Sequence, residues 1–261
     1  MTTMTLGPAV DVVRLFNATP ELRAADKAGG LGTLDIRFSV FNTWYEVNSL
    51  WEGKFLERTA PTAFDQTIAE DRSSMRVLFD HGFDPQIGNK VLGPISDLRV
   101  DPDSPIGEVP LFDTTYNRDL LPGLQAGVYG SSFRMRVLED SWNDEPEPSD
   151  HNPKGIPERT ILRTKTMEFG PVTFPANPDA TATMRSITDH FYDQLRQRDT
   201  SAFEAAVRAA GRSIPDLIGQ PGTRSSGGDD QRGAGQGEAH PFTRQQRADH
   251  DALRIRGIVH A

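Results

Sequence analysis

The chain has 261 residues, enough for one large domain or for one domain with tails. Its net charge of −9 argues against nucleic acid as a partner, because no domain-wide basic field would neutralise phosphates. The absence of cysteine excludes disulfides, thiolate metal sites and thiol nucleophiles, and we expect neither a signal peptide nor a membrane-spanning helix.

The first half of the chain predicts strands with one short helix. Residues 1–30 are interpreted as an N-terminal arm that contributes one strand, Val10 to Phe16. Alternating apolar and polar residues from Leu34 to Val40 predict a half-buried strand. A helix is expected from Ala60 to Asp71, and an apolar run predicts a strand from Met75 to Phe79.

The middle of the chain continues with strands. Val91 to Val100 and Ile106 to Phe112 predict two of them, separated by a turn. Residues 127–138 form another alternating stretch, with Ser132, Arg134 and Arg136 on one face and Phe133, Met135 and Val137 on the other. Residues 141–159 are rich in Pro, Asp and Glu and are expected to form a loop, and Ile161 to Phe174 predicts a strand that stops at a proline.

The C-terminal part predicts helices and then a tail. Apolar residues recur every four positions from Ile187 to Leu195, Ser201 to Glu204 has the spacing of a capping box, and Gly211 is expected to end that helix. Gln220 to Gly237 is of low complexity and predicts a flexible linker. The stretch from His240 to the end is interpreted as a docking peptide or a frayed terminus.

His81 is the first candidate for chemistry. It follows an apolar strand and precedes Gly82, which would hold its imidazole at a rigid edge beside a permissive turn. A near-neutral pKa suits histidine for a general base. The alternative is an ordinary hydrogen-bonded histidine at the end of a strand.

A serine pair provides the candidate nucleophile. The alternation places Ser132 on the polar face, together with Arg134 and Arg136, and Ser131 on the opposite face. A nucleophile benefits from such a rigid position, whereas the alternative is a small residue at a tight sheet contact. No Gly-x-Ser-x-Gly elbow is present, which disfavours an α/β-hydrolase.

Glu168 is the candidate acidic partner. It lies between Met167 and Phe169 in an apolar strand, where a carboxylate needs a partner. That partner is either a basic residue in a salt bridge or His81, which Glu168 would orient. Arg134 is expected either to hold an oxyanion or to be a solvated edge charge. The six histidines lack metal-ligand spacing, so neither a metal nor another cofactor is expected.

Four segments in fixed order resemble one family, the tailed-phage prohead (capsid maturation) proteases. They are Trp51–Arg58 with Ala60–Phe64, Asp80–Gly82 with Leu92-Gly93, Gly127–Met135, and Met167–Pro178. The resemblance covers roughly residues 34–185. The chain departs from the family at Arg134 and Met135, where Gly and Phe are frequent, and at Gly170, where Ser is frequent.

The resemblance implies a serine endopeptidase with an α+β, mainly β fold. It implies an antiparallel β-barrel of the herpesvirus-assemblin type, surrounded by a few helices and followed by a flexible C-terminal tail. The expected division is an arm over residues 1–30, a protease domain over 31–212 and a tail over 213–261. His81, Ser132 and Glu168 match the catalytic histidine, the nucleophile and the acidic third member.

The resemblance also implies partners and a location. The expected substrates are the major capsid protein and the scaffold, cleaved inside the assembling procapsid in the host cytoplasm. Self-association and self-cleavage are expected, and neither nucleic acid nor membrane is. The alternatives are a non-catalytic assembly or scaffold protein that keeps the fold, and an unrelated cytosolic hydrolase.

Overall fold

The computed structural model describes residues 10–25, 30–173 and 184–213. These residues form eleven strands and four α-helices: β1 Asp11–Phe16, β2 Glu21–Arg23, β3 Thr33–Arg37, β4 Tyr45–Ser49, β5 Gly53–Thr59, α1 Asp65–Glu70, β6 Arg76–Val77, β7 Asp97–Val100, β8 Pro105–Pro110, α2 Thr115–Ala126, β9 Gly130–Asn143, β10 Glu158–Val172, β11 Met184–Ser186, α3 Thr188–Arg198 and α4 Thr200–Ala209. Short 3₁₀ turns occupy Pro61–Phe64 and Asp80–Gly82. Within these ranges no helix is long and apolar enough to cross a membrane.

The strands form two sheets. The larger has the order β11-β1-β9-β10-β5-β4, with β6 added to β10, and the smaller has the order β2-β3-β8-β7. In the larger sheet the two end strands, β11 and β4, lie near each other, so the sheet is nearly closed and barrel-like. The prediction of a mainly β fold with helices is confirmed.

The prediction of an antiparallel barrel is not confirmed, because the larger sheet is mixed. The 15-residue β10 pairs with β9 in antiparallel orientation along one edge. Its other edge is shared by β5 and β6, and both run parallel to it. About a hundred residues separate β5 from β10, so no hairpin dictates their relative direction, and the intervening elements supply the crossover that a parallel pair needs. The assemblin-type topology stays a prediction.

Aromatic side chains fill the centre of the fold. Phe38 stacks on Phe169 with ring centroids 4.6 Å apart, and Phe64 and Phe133 pack around this pair. Phe133 and Met135 are fully buried, while Arg134 and Arg136 point to the other face. The predicted two-faced pattern of this strand is therefore confirmed, and it divides the larger sheet into a core face and an outer face.

A buried ion network closes one end of the core. The fully buried guanidinium of Arg14 contacts Glu52 at 2.5 Å and Glu57 at 2.7 Å, and Arg159 contacts Glu57 and Asp140. Burial opposes ionisation of Glu52, but the positive charge of Arg14 outweighs it and lowers the pKa of that carboxyl. The network ties β1 to β5 and β10, and so helps to hold the strands that carry the site described below.

Several local predictions hold. The strand at Val10–Phe16 is β1, which lies inside the larger sheet between β9 and β11. The helix expected over Ala60–Asp71 is a 3₁₀ turn followed by α1, and the apolar repeat from Ile187 marks α3. Gly211 follows α4 with a φ of +65°, as expected of a glycine at a helix C-terminus.

Other local predictions are corrected. The N-cap of α4 is Asp199, whose carboxylate accepts from the amide of Ala202, because this helix begins one residue before Ser201. Helix α2 was not predicted, although Thr114 caps it. The strands expected to begin at Met75 and Val91 are reduced to β6 and β7, and the loop expected from residue 141 begins after β9 ends at Asn143. The predictions for Phe174, for the proline after it and for residues 220–261 lie outside the described residues.

Candidate active site

The two serines of β9 lie on opposite faces of the sheet and both are fully buried. Ser131 Oγ donates to the carbonyl of Ala18 at 2.9 Å. Ser132 Oγ lies 2.9 Å from the carbonyl oxygen of Arg14 and 2.8 Å from His81 Nε2. Of the two hydroxyls, therefore, the one predicted as the nucleophile is the one beside the imidazole.

His81 lies in a turn with an uncommon backbone. Asp80 and His81 have φ values of 49° and 55°, and Gly82 follows with 78°. Left-handed conformations are costly for residues with a side chain and persist where the surroundings impose them, often at functional sites. A Cβ at Gly82 would lie 2.3 Å from Asn89 Oδ1. The Gly82 carbonyl accepts a hydrogen bond from the guanidinium of Arg198 on α3.

Gly170 allows the histidine segment to reach β10. A Cβ on Gly170 would lie 1.8 Å from the carbonyl oxygen of Leu78, so only glycine permits this approach. Beside it, the amide of Leu78 donates to the carbonyl of Phe169 at 3.2 Å. This contact anchors the chain three residues before His81.

Glu168 reaches the same face through an irregularity in β10. Thr166 lies opposite Met135 and Glu168 lies opposite Arg134, so Met167 is an extra residue without a partner on β9. Without this bulge, Glu168 would lie opposite Phe133 and point into the aromatic core. One extra residue reverses the alternation of a strand, so the bulge is what brings the carboxylate to the face that carries Ser132.

The three predicted side chains form one hydrogen-bonded chain. His81 Nδ1 lies 2.6 Å from Glu168 Oε1, and the opposite ring nitrogen lies 2.8 Å from Ser132 Oγ. An ionised carboxylate only accepts, so Nδ1 carries the proton of a neutral ring and Nε2 is left as an acceptor. The side chains of His81 and Glu168 are only 6% and 3% exposed, so water screens their interaction little.

Arg134 lies beside Glu168. Its Nε is 3.8 Å from Glu168 Oε1, another guanidinium nitrogen is 3.9 Å from Asp11, and its guanidinium carbon is 5.3 Å from the centroid of the Phe191 ring. Arg134 Nε and Glu168 Oε2 are both buried without a hydrogen bond. At 31% exposure the side chain is not a fully solvated edge charge, and a role in holding an oxyanion stays a prediction.

Helix α3 covers the site, and a cavity opens next to it. The edge of the His81 ring meets the Phe191 ring at 5.9 Å between centroids. The cavity measures about 700 Å³ and has His81 in its wall, with Leu15, Val172 and Ile187 among its apolar lining residues. Burial raises the pKa of Asp80, which also lines it. A peptide segment fits a space of this size and character.

Some residues of the site were not predicted. The backbone of Arg14 and the ring of Phe191 contact the predicted trio, but they reach it from β1 and α3, and no motif marks them. Asp80 directly precedes His81 in the sequence, and this adjacency could have indicated that Asp80 belongs to the site. Among residues 10–25, 30–173 and 184–213, no cluster of three or more His, Asp or Glu side chains is arranged to hold a metal ion.

Comparisons with known proteins place the chain in a family. A search among curated proteins found no match. Among solved structures, the bacteriophage T4 capsid assembly protease, gp21, is similar, with 12% identity over 67% of this chain and 97% of that chain and a TM-score of 0.36. A family model described as Caudovirus prohead serine protease matches residues 20–193, which include His81, Ser132 and Glu168. Since the match extends over about two thirds of its residues, the chain belongs to the Caudovirus prohead serine protease family.

Proposed function

We propose that this chain is an active serine endopeptidase that cleaves the major capsid protein and the scaffold inside the assembling procapsid. The observation that carries the proposal is the continuous chain from Ser132 Oγ through His81 to Glu168. It combines a hydroxyl, a base and an orienting acid within hydrogen-bonding distance, which is the arrangement that activates a weak nucleophile.

In the proposed reaction Ser132 Oγ bonds to the scissile carbonyl carbon while its proton passes to His81 Nε2. Glu168 keeps the other ring nitrogen protonated and stabilises the imidazolium that forms. The imidazolium then protonates the leaving amine nitrogen as the carbon–nitrogen bond breaks. Water then attacks the resulting ester while its proton passes to His81, and the imidazolium returns a proton to Ser132 Oγ as the ester bond breaks. Backbone amides stabilise the oxyanion at both stages.

The hydroxyl proton of Ser132 has two possible acceptors in the resting site. The Arg14 carbonyl and His81 Nε2 are at 2.9 Å and 2.8 Å, and Oγ has a single hydrogen to donate. Attack requires the hydrogen to point to the imidazole. Because the serine is fully buried, substrate also needs a rearrangement to reach it, and self-association during assembly would supply one.

The test compares Ser132→Ala with Ser131→Ala in proheads assembled from the full chain, the capsid protein and the scaffold. Both substitutions remove one buried hydroxyl with one backbone carbonyl partner, so they are matched structurally. Ser132→Ala is expected to lower processing at least about 10³-fold, and Ser131→Ala to leave most of it. Equal processing by both variants would contradict the assignment.

A non-catalytic assembly protein with this fold is the second candidate, and the complete burial of Ser132 favours it. A fluorophosphonate probe applied to assembled proheads separates the two functions. Labelling that depends on Ser132 supports the protease, while unlabelled, assembly-competent proheads support the second candidate. Intact masses of wild type and Ser132→Ala test self-cleavage, and masses that differ only by the substitution would exclude it.

A further inference from the structure

Arg185 is a basic side chain in the wall of the cavity beside His81. It is half-buried, its Nε is buried without a hydrogen bond, and within the described ranges it forms no ion pair. A guanidinium held in a partly dry wall has lost part of its hydration and gains when a carboxylate supplies paired acceptors. The site therefore contains an unused anion-binding group.

The sheet register places Arg185 on the same face as the proposed nucleophile. Leu15 on β1 lies opposite Ser132 on one side and opposite Arg185 on the other. Residues opposite each other in antiparallel strands share a face, so the three side chains form one row across β9, β1 and β11. Strands are about 4.8 Å apart, which puts Arg185 about 10 Å from Ser132, or within about three residues of an extended peptide.

Two of the three carboxylates in the same wall already have hydrogen-bond partners. Asp189 accepts from the Ser49 hydroxyl at 2.5 Å and from the Leu50 amide at 2.8 Å. Asp84 accepts from two amides of its own turn. Asp80, whose pKa is raised by burial, holds its proton more readily than an ordinary aspartate. Among the described residues, Arg185 is thus a charged lining residue whose buried Nε still lacks a hydrogen bond.

We propose that Arg185 binds an acidic side chain of the substrate, within three residues of the scissile bond, and so determines cleavage specificity. This inference rests on the proposed function for its setting. A bidentate guanidinium–carboxylate contact is charge-assisted, which makes it selective against the neutral amide of the same shape.

The first experiment measures binding without cleavage, using full-length Ser132→Ala on a solid support. The probe is an equimolar mixture of ten-residue peptides with blocked ends, each with Glu or Gln at one scanned position. At one scanned position, the Glu peptide is expected to be retained about tenfold more than the Gln peptide. The blocked ends remove terminal carboxylates, so any preference comes from a side chain.

The variants establish which residue is responsible. Arg185→Gln should abolish the Glu preference, Arg185→Lys should keep part of it, and Arg185→Glu should reverse it in favour of Lys at that position. Arg118→Gln is the matched control, because Arg118 is an exposed arginine of α2 that pairs with Asp113. This variant should keep the Glu preference. A circular-dichroism melt of each variant shows whether it is folded.

The second experiment keeps this inference separate from the proposed function. The same peptide mixtures are given to wild-type proheads and the cleavage products are sequenced. Cleavage that depends on Ser132 but shows no preference for acidic residues would overturn the role of Arg185 alone. A Glu preference that is unchanged in the folded Arg185→Glu variant would do the same. A Glu preference in binding without any cleavage would overturn the proposed protease and leave the binding site standing.

Discussion

Glu168 and Arg134 face each other across β9 and β10, with Glu168 Oε1 3.8 Å from Arg134 Nε. The same carboxylate oxygen is 2.6 Å from His81 Nδ1. One oxygen of the acid is therefore close to both the imidazole and a guanidinium. Arg134 is therefore a cationic group next to the carboxylate that accepts from the imidazole.

Arg134→Met keeps an apolar side chain against Phe191 but removes the charge next to Glu168. We expect it to lower kcat about tenfold with little change in KM, because it weakens the orientation of His81 and does not touch bound substrate. Steady-state kinetics of peptide cleavage measures both constants. Arg136→Met on the same face is the control, since Arg136 pairs with Asp11 and not with Glu168. Equal losses from both substitutions would contradict the special role of Arg134.

Gly170→Ala tests the close approach that brings His81 to the sheet. The new Cβ would meet the Leu78 carbonyl oxygen at 1.8 Å, and backbone cannot rotate away as a side chain can. We expect a loss of about 1–3 kcal/mol in the free energy of unfolding and a loss of activity of about a hundredfold or more. Urea unfolding and a peptide-cleavage assay measure the two effects.

Gly123→Ala on α2 is the control for that substitution. The nearest atoms to its Cβ would belong to the Tyr129 ring, which is a side chain and not backbone. It should leave activity near the wild-type level. If Gly170→Ala behaved the same way, the contact with Leu78 would not position the histidine.

Asp80→Asn should make stability less sensitive to pH. Burial raises the folded-state pKa of Asp80 above its ordinary value of 3.8, so the folded chain holds this proton over a range in which the unfolded chain has lost it. Stability therefore falls as the pH rises through that range. Asparagine carries no such cost and also tolerates the φ of 49°. We expect a higher melting temperature than wild type at pH 7 and no such gain below pH 3.8. A gain of the same size at both pH values would contradict the assignment.

Glu52→Gln should be strongly destabilising. Its lowered pKa means that the ionised carboxylate contributes stability above the ordinary value of 4.5, and that this contribution is lost as the pH falls through the folded-state pKa. Removing the charge of Glu52 takes away one of the negative charges that balance fully buried Arg14, and should lower the free energy of unfolding by about 3–5 kcal/mol. Urea unfolding at pH 7 measures it, with Asp35→Asn as the control. The half-exposed pair of Arg23 and Asp35 should contribute little, and equal effects would contradict the importance of burial.

The sequence by itself determined the features that depend on local periodicity. Alternation along residues 130–137 separated Ser132 from Ser131 and assigned Phe133 and Met135 to the core. The apolar run before His81 indicated that the imidazole would sit at the end of an ordered segment. These features repeat every two residues, so a short window of sequence contains all the information they need.

Only the tertiary structure decided the features that depend on pairing between distant segments. The bulge at Met167 exists only relative to β9, yet it determines whether Glu168 points to His81 or into the core. The parallel pairing of β5 and β6 with β10, and the row that joins Ser132 to Arg185, likewise need a register between strands far apart in the chain. Register is set by the packing of the whole sheet, because shifting one strand by a single residue would exchange its buried and exposed faces.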